Sequence, residues 1–148
     1  MEFNELIAGF ATRYNVADLA AKDGTATLEI DGTIVSIFAK ENELTFTAEI
    51  GEPPAEGAAL FANVLLEANL QSEAFFAKNP DSAAYLIVRR LSLLTIDEVA
   101  FDVALETFVN QTETWRSILA DFRPAAEAAT ERDEAESPSF GTTGFIQV

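Results

Sequence analysis

TIDEVAFDVALETFVNQTETWRSILADF, residues 95–122, is the stretch from which the rest of the chain is read. Phe101, Leu105, Phe108, Thr112, Trp115, Leu119 and Phe122 recur at steps of four and three, which places them on one face of a helix. Thr95 followed by Glu98 reads as a capping box, with the Thr95 hydroxyl on the Glu98 N–H and the Glu98 carboxylate returning to the Thr95 N–H. Asp97, Glu98 and Asp102 near the start, and Arg116 and Arg123 near the end, suit the helix dipole. Pro124 cannot continue the helix. An apolar stripe this long needs a sheet or other helices to cover it. By itself it is a core helix of an α+β domain and implies no chemistry.

Working outward, Ala84 to Leu91 is an apolar run ending in Arg89-Arg90, joined through the turn tetrapeptide Asn79-Pro80-Asp81-Ser82 to a segment bearing Phe75 and Phe76. This reads as a hairpin, with Arg89 and Arg90 on opposite sides of a strand and one of them paired with an acid. Glu56 to Leu70 is a helix whose Leu60, Phe61, Val64, Leu65, Leu66 and Leu70 cover more than one face, so it is expected to be buried on two sides. Before it, Ala26–Ile30, Thr33–Ala39 and Leu44–Ile50 form an antiparallel meander. The Asp31-Gly32 link has the chemistry of a type I′ turn, and Lys40–Glu43 makes the second turn. Residues 3–14 carry Phe3, Leu6, Ile7, Phe10 and Tyr14 at helical spacing. The order is α-β-β-β-α-β-β-α, an α+β domain with helices packed on an antiparallel sheet, expected over residues 1–124. Residues 125–148 are acidic and poor in core formers, and read as a disordered tail ending in Phe145-Ile146-Gln147-Val148. That end reads equally as a docking element or a frayed terminus.

Totals remove several chemistries. The chain has no Cys and no His, so it cannot supply a Ser-His-Asp triad, a thiolate nucleophile, a Cys/His zinc site or a disulfide. A net charge of −16 leaves no basic footprint for nucleic acid and disfavours anionic membranes. No apolar run is long enough to insert in a bilayer, and the acidic N-terminus is unlike a signal peptide, so a cytoplasmic location is expected. No metal and no cofactor is expected. The carboxylate pairs Glu41/Glu43 and Asp97/Asp102 keep a small hydrolase or ligand-binding domain open as an alternative, although surface charge and helix capping account for them. A purely structural adaptor is a third reading.

The run Leu65-Leu66-Glu67-Ala68-Asn69-Leu70, the turn Asn79–Ser82, the strand Leu86–Leu91 and Trp115-Arg116-Ser117-Ile118-Leu119 together resemble the type III secretion chaperones of the Tir-chaperone (CesT-like) family. Ser82-Ala83 stands where Gly is common in that turn, and Ser92 where Pro is common after the last strand. The resemblance implies a bacterial, cytoplasmic, non-enzymatic homodimer. It would hold the unfolded N-terminal segment of a secreted effector in extended form over apolar surfaces. The client surface is expected on Phe3, Leu6, Ile7 and Phe10 of the first helix and on Ile34, Ser36, Phe38, Leu44 and Phe46 of the sheet. The dimer interface is expected at Leu60, Phe61, Val64 and Leu65 with Phe75, Tyr85 and Ile87.

Overall fold

The structure is a computed structural model and describes residues 2–123. The expectations for residues 125–148 lie outside the described residues. Helix α1 spans Phe3–Tyr14 and is followed by strands β1 (Thr25–Ile30), β2 (Thr33–Lys40) and β3 (Glu43–Gly51). Helix α2 (Ala58–Ala68), strands β4 (Phe75–Lys78) and β5 (Tyr85–Ser92), and helix α3 (Glu98–Ala120) complete it. The order is the one read from the sequence. One antiparallel five-stranded sheet runs β1-β2-β3-β5-β4, so β5 is inserted between the meander and its own hairpin partner.

The local causes are visible. Asp31 and Gly32 have φ of 51° and 83°, the positive pair a type I′ turn requires, and Ile30 pairs with Thr33 across it. Asn79 accepts the Asp81 N–H on its Oδ1 at 2.9 Å, and the Asn79 N–H donates to the Ala84 carbonyl at 2.9 Å, closing the β4–β5 link. The start of α3 differs from expectation. Asp97 is the N-cap, its Oδ1 accepting from the Ala100 N–H at 2.8 Å, and Thr95 lies in the preceding turn. Buried Ile96 anchors that turn, which leaves the next residue to cap the helix. Glu98, the proposed partner of Thr95, instead pairs with Arg13 of α1.

Helices α1 and α3 cover one face of the sheet. Phe46 of β3 meets Phe101 and Phe108 of α3 at ring separations of 5.9 and 5.5 Å, and Phe101 also meets Phe10 of α1. Phe101, Leu105, Phe108, Thr112 and Leu119 are buried, as the stripe demanded. Trp115 is half-buried with its ring edge-on to Phe76. Thr112 satisfies its hydroxyl on the Phe108 carbonyl at 2.8 Å. On α2, Phe61 and Leu65 face the core, and Phe61 packs against Tyr85 and Phe122.

Two features are specific to this sheet. Among the described residues no helix covers its other face, which carries Thr25 and Thr27, Ile34 and Phe38, Thr45 and Thr47, and Leu86 and Val88. Strands β2 and β3 pair only from Ser36↔Thr47 to Lys40↔Glu43, and beyond that they part. Arg116 of α3 reaches into the fork, its Nε donating to the Glu49 carbonyl at 3.4 Å and its Nη1 to the buried Thr33 hydroxyl at 3.3 Å.

Candidate functional site

An open depression of about 710 Å³ runs between β1 at the sheet edge and helices α1 and α3. Its floor and walls are Phe10 and Val16, Leu28 and Ile30, Leu105 and Val109, with Val99 and Val103 at the rim. Val99 and Val103 are 72% and 56% exposed. They stand one turn apart on α3, off its buried stripe, so the helix offers a second apolar ridge to the solvent side of the groove.

Strand β1 forms the groove's other wall, and its outer edge is open. Ala39 N–H donates to the Gly24 carbonyl at 2.9 Å, which fixes the phase of the β1–β2 ladder. In that phase Ala26, Leu28 and Ile30 direct their main-chain groups at β2, and Thr25, Thr27 and Glu29 direct theirs away from it. Thr25 is occupied, both its N–H and C=O being bonded to Lys22. The main-chain groups of Thr27 and Glu29 have no partner among the described residues. The edge therefore offers a short length of ladder between a tight turn at Lys22–Thr25 and the Asp31-Gly32 turn.

A charge cluster holds the two helices together beside the groove. The Arg13 guanidinium donates from Nε and Nη2 to both oxygens of Asp102, at 3.0 and 2.6 Å, and from Nη1 to Glu98 at 2.8 Å. This forked geometry is the strong form of a surface ion pair. The Tyr14 hydroxyl donates to the same Asp102 at 3.3 Å, and the negative charge of Asp102 raises the phenol above its ordinary range. Hydrogen bonding to Asp102 raises Arg13 as well. The rest of the rim is acidic. Glu29, Asp31 and Glu106 line the groove, are exposed, and have no cationic partner among the described residues.

Burial reassigns part of the expected client surface. Phe3, Leu6, Ile7 and Phe10 on α1 and Leu44 and Phe46 on β3 are buried, so their side chains hold the protomer together, and only Phe10 reaches the groove floor. The remaining three stand on the uncovered sheet face: Ile34 and Phe38 are exposed and Ser36 is half-buried. Ile34 and Ser36 line a smaller depression of about 430 Å³ at the β2–β3 fork, with Leu86 and Arg116. The expected dimer residues divide in the same way. Phe61, Leu65 and Ile87 are core, Phe75 and Tyr85 are half-buried, and Leu60 and Val64 are exposed alongside Leu66 and Leu70. Arg90 lies over the Phe75 ring at 5.3 Å and pairs with Glu43, and Arg89 pairs with Glu73 at 3.0 Å. Both arginines are thus partnered, on opposite sides of β5.

Of the carboxylate pairs, Asp97 caps α3, Asp102 binds Arg13, Glu43 pairs with Arg90, and Glu41 stands exposed in the β2–β3 turn at φ 57°. Among the described residues no group of His, Cys, Asp and Glu is arranged to hold a metal ion, and no helix is long and apolar enough to cross a membrane. Sequence reading missed Tyr14, Val99, Val103, Glu29 and Glu106 as groove residues. The available signal was Val99-Val103, an i, i+4 apolar pair lying off the main stripe.

The profile of the Tir chaperone protein (CesT) family matches residues 5–116, which takes in every strand and most of all three helices. The chain belongs to that family. No curated protein sequence matches the chain. Solved structures of chaperone complexes share the CesT fold seen here. A chain of the ExsC–ExsE complex superposes with a TM-score of 0.69 at 17% identity, covering 80% of this chain and 97% of that one. A chain of the HopA1–SchA chaperone–effector complex gives 0.66 at 13%, covering 78% and 93%. The Yersinia pestis type III secretion chaperone SycH, solved with a fragment of YscM2, gives 0.61 at 20%, covering 77% and 99%. For this CesT member, the groove, the open sheet face and the exposed side of α2 are surfaces left over once the core is built.

Proposed function

We propose that this protein is a cytoplasmic type III secretion chaperone that binds the N-terminal segment of a secreted effector in extended form and acts by holding it, without catalysis. One observation carries the reading: an apolar groove lies directly beside the open edge of β1. A strand added there gains main-chain hydrogen bonds whatever its sequence, and its inward side chains enter the groove. Each large apolar side chain buried contributes about 1.5–3 kcal/mol before ordering costs. Ordering a disordered client costs on the order of 2–5 kcal/mol or more. One anchor is therefore too few, and the client must run on, with Ile34 and Phe38 of the uncovered face as a second contact.

The neighbours named above were solved as chaperone complexes, which supports a protein client here. We also propose a homodimer through the exposed side of α2 and the β4–β5 end of the sheet. The test uses the N-terminal segment of a secreted protein encoded beside this one. Val103→Asp and Phe38→Asp, both at exposed positions, are expected to leave the fold intact and to weaken binding by about tenfold or more each, the scale of one lost buried apolar anchor. Hydrogen exchange should find the bound segment lacking a folded core of its own. Unchanged affinity in both variants, or a client that stays compactly folded when bound, would refute the reading.

A further inference from the structure

Which client segments the β1 groove accepts is a separate question, and its answer rests on the reading of that groove as the client site. The trough is apolar along its floor, but every titratable side chain lining it is acidic apart from the Tyr14 phenol. Asp102 is matched by Arg13; Glu29, Asp31 and Glu106 are left without a counter-charge from the described residues. The open ladder is short, limited to Thr27 and Glu29 by the Lys22–Thr25 turn on one side and the hairpin turn on the other. Successive residues of a strand laid on this edge point to opposite faces. Those on the helix side enter the trough beside Leu28 and Ile30. Those between them fall on the face where β1 presents Thr27 and Glu29. A cation at that position meets Glu29 across the strand pair, an arrangement that is favourable, whereas a carboxylate there meets like charge.

We propose that the β1 groove selects a short client strand in which apolar residues alternate with Lys or Arg, with Glu29 setting the preference for cations across the strand pair and Asp31 and Glu106 adding to the negative field around the groove. The apolar trough and the free edge make the site, and the carboxylates choose among its occupants. The same field disfavours the chain's own residues 127–136, which carry Glu127, Glu131, Asp133, Glu134 and Glu136, as a competing occupant. It also accelerates capture of a basic segment in a way that salt suppresses.

The probes are three short synthetic peptides with valine at alternate positions and Lys, Gln or Glu between them, titrated by fluorescence anisotropy. The lysine peptide is expected to bind more tightly than the glutamine peptide by roughly two- to fivefold for each carboxylate met, and the glutamate peptide more weakly than both. Raising salt from about 0.05 to about 0.5 M should close most of the gap between them. Glu29→Lys with Glu106→Lys, at two exposed positions, is expected to invert the order. Val103→Asp, which spoils the trough and adds one carboxylate to the three already there, is expected to weaken all three peptides, the lysine peptide least and the glutamate peptide most. Equal binding of the three peptides, with all still lost in Val103→Asp, overturns the charge selection and leaves the groove reading standing. Binding indifferent to Val103→Asp overturns the groove reading itself. Failure of every peptide to bind overturns the claim that this alternating pattern suffices.

Discussion

Asn69 illustrates how much a single side chain decides in this fold. It follows the last turn of α2, accepts the Phe76 N–H on Oδ1 at 2.7 Å and donates from Nδ2 to the Phe76 carbonyl at 3.4 Å. Strand β4 is short and lies at the sheet edge, so this amide replaces the ladder that a neighbouring strand would give. Asn69→Ala leaves two part-buried main-chain groups unpaired and is expected to cost about 1–3 kcal/mol, read from the urea midpoint. Asn69→Asp keeps an acceptor for the N–H and should fall between. A loss as large for Asp as for Ala would show that the accepted bond is not the one that matters. Tyr14 gives a spectroscopic handle at the same scale. Its phenol is raised mainly by the charge of Asp102. A phenol raised in the folded state holds its proton more tightly there than in the unfolded chain. The stability it contributes is complete below the ordinary value of 10.0 and is lost as pH climbs from there through the raised value. Tyrosinate absorbance should show the Tyr14 phenol ionising late, and Asp102→Asn should return it toward the ordinary range. If Asp102→Asn leaves the late step in place, the assignment to Tyr14 is wrong.

At the scale of elements, β3 and α3 approach each other closely at Gly51. Gly51 ends β3 at φ 131°, and a Cβ there would stand 2.9 Å from Leu119 Cδ2 in the last turn of α3. Gly51→Ala therefore meets both backbone strain and a packed side chain, and is expected to destabilise the domain by about 1–3 kcal/mol or more. Gly9 on α1 is a contrasting case. Its added methyl would meet only the flexible ends of Glu98 and Arg13. Alanine's better helix propensity, roughly 0.5–1 kcal/mol, offsets a partly exposed ion pair of roughly 0.2–1 kcal/mol. Gly9→Ala should thus shift the thermal midpoint little. A loss as large as that of Gly51→Ala would show that Arg13–Glu98 carries more than surface pairs usually do. These elements were largely legible beforehand, because periodicity and turn chemistry are local. Asp31-Gly32 named its own turn, and the stripe from Phe101 to Leu119 named its own buried face. What periodicity does not reveal is which cover an apolar face has. The stripe Phe3-Leu6-Ile7-Phe10 reads identically whether it meets its own protomer or a partner, and here it is buried within the protomer, with Phe10 against Phe101 of α3. Thr95 and Asp97 both match a helix cap, and only the burial of Ile96 between them decides for Asp97.

At the scale of the whole molecule, the same distinction separates two kinds of α2 residue and gives the dimer a clean test. Phe61 and Leu65 are buried within one protomer, whereas Leu60 and Val64 are about 40% exposed, Leu66 is 63% exposed and Leu70 is 86% exposed. Burying these four side chains in an interface would contribute at most about 6–12 kcal/mol, using roughly 1.5–3 kcal/mol for each. Association costs an estimated 4–15 kcal/mol in lost freedom. Helix α2 alone is therefore marginal as an interface, and a stable dimer needs more apolar area than it supplies. That area is available beside it on β4 and β5, where Phe75, Tyr85 and Leu86 are half-buried. Val64→Glu combined with Leu60→Glu is expected to give a folded monomer, seen as half the native mass with an unchanged near-ultraviolet signal. Leu65→Glu buries a charge without a partner and is expected to unfold the domain, so it reports on the core and not on association. Phe75→Glu should weaken the dimer if the sheet end takes part. A doubly charged α2 variant that stays dimeric would place the interface elsewhere. A wild-type chain that is monomeric at tens of micromolar would end the dimer proposal and leave the β1 groove to act as a single site.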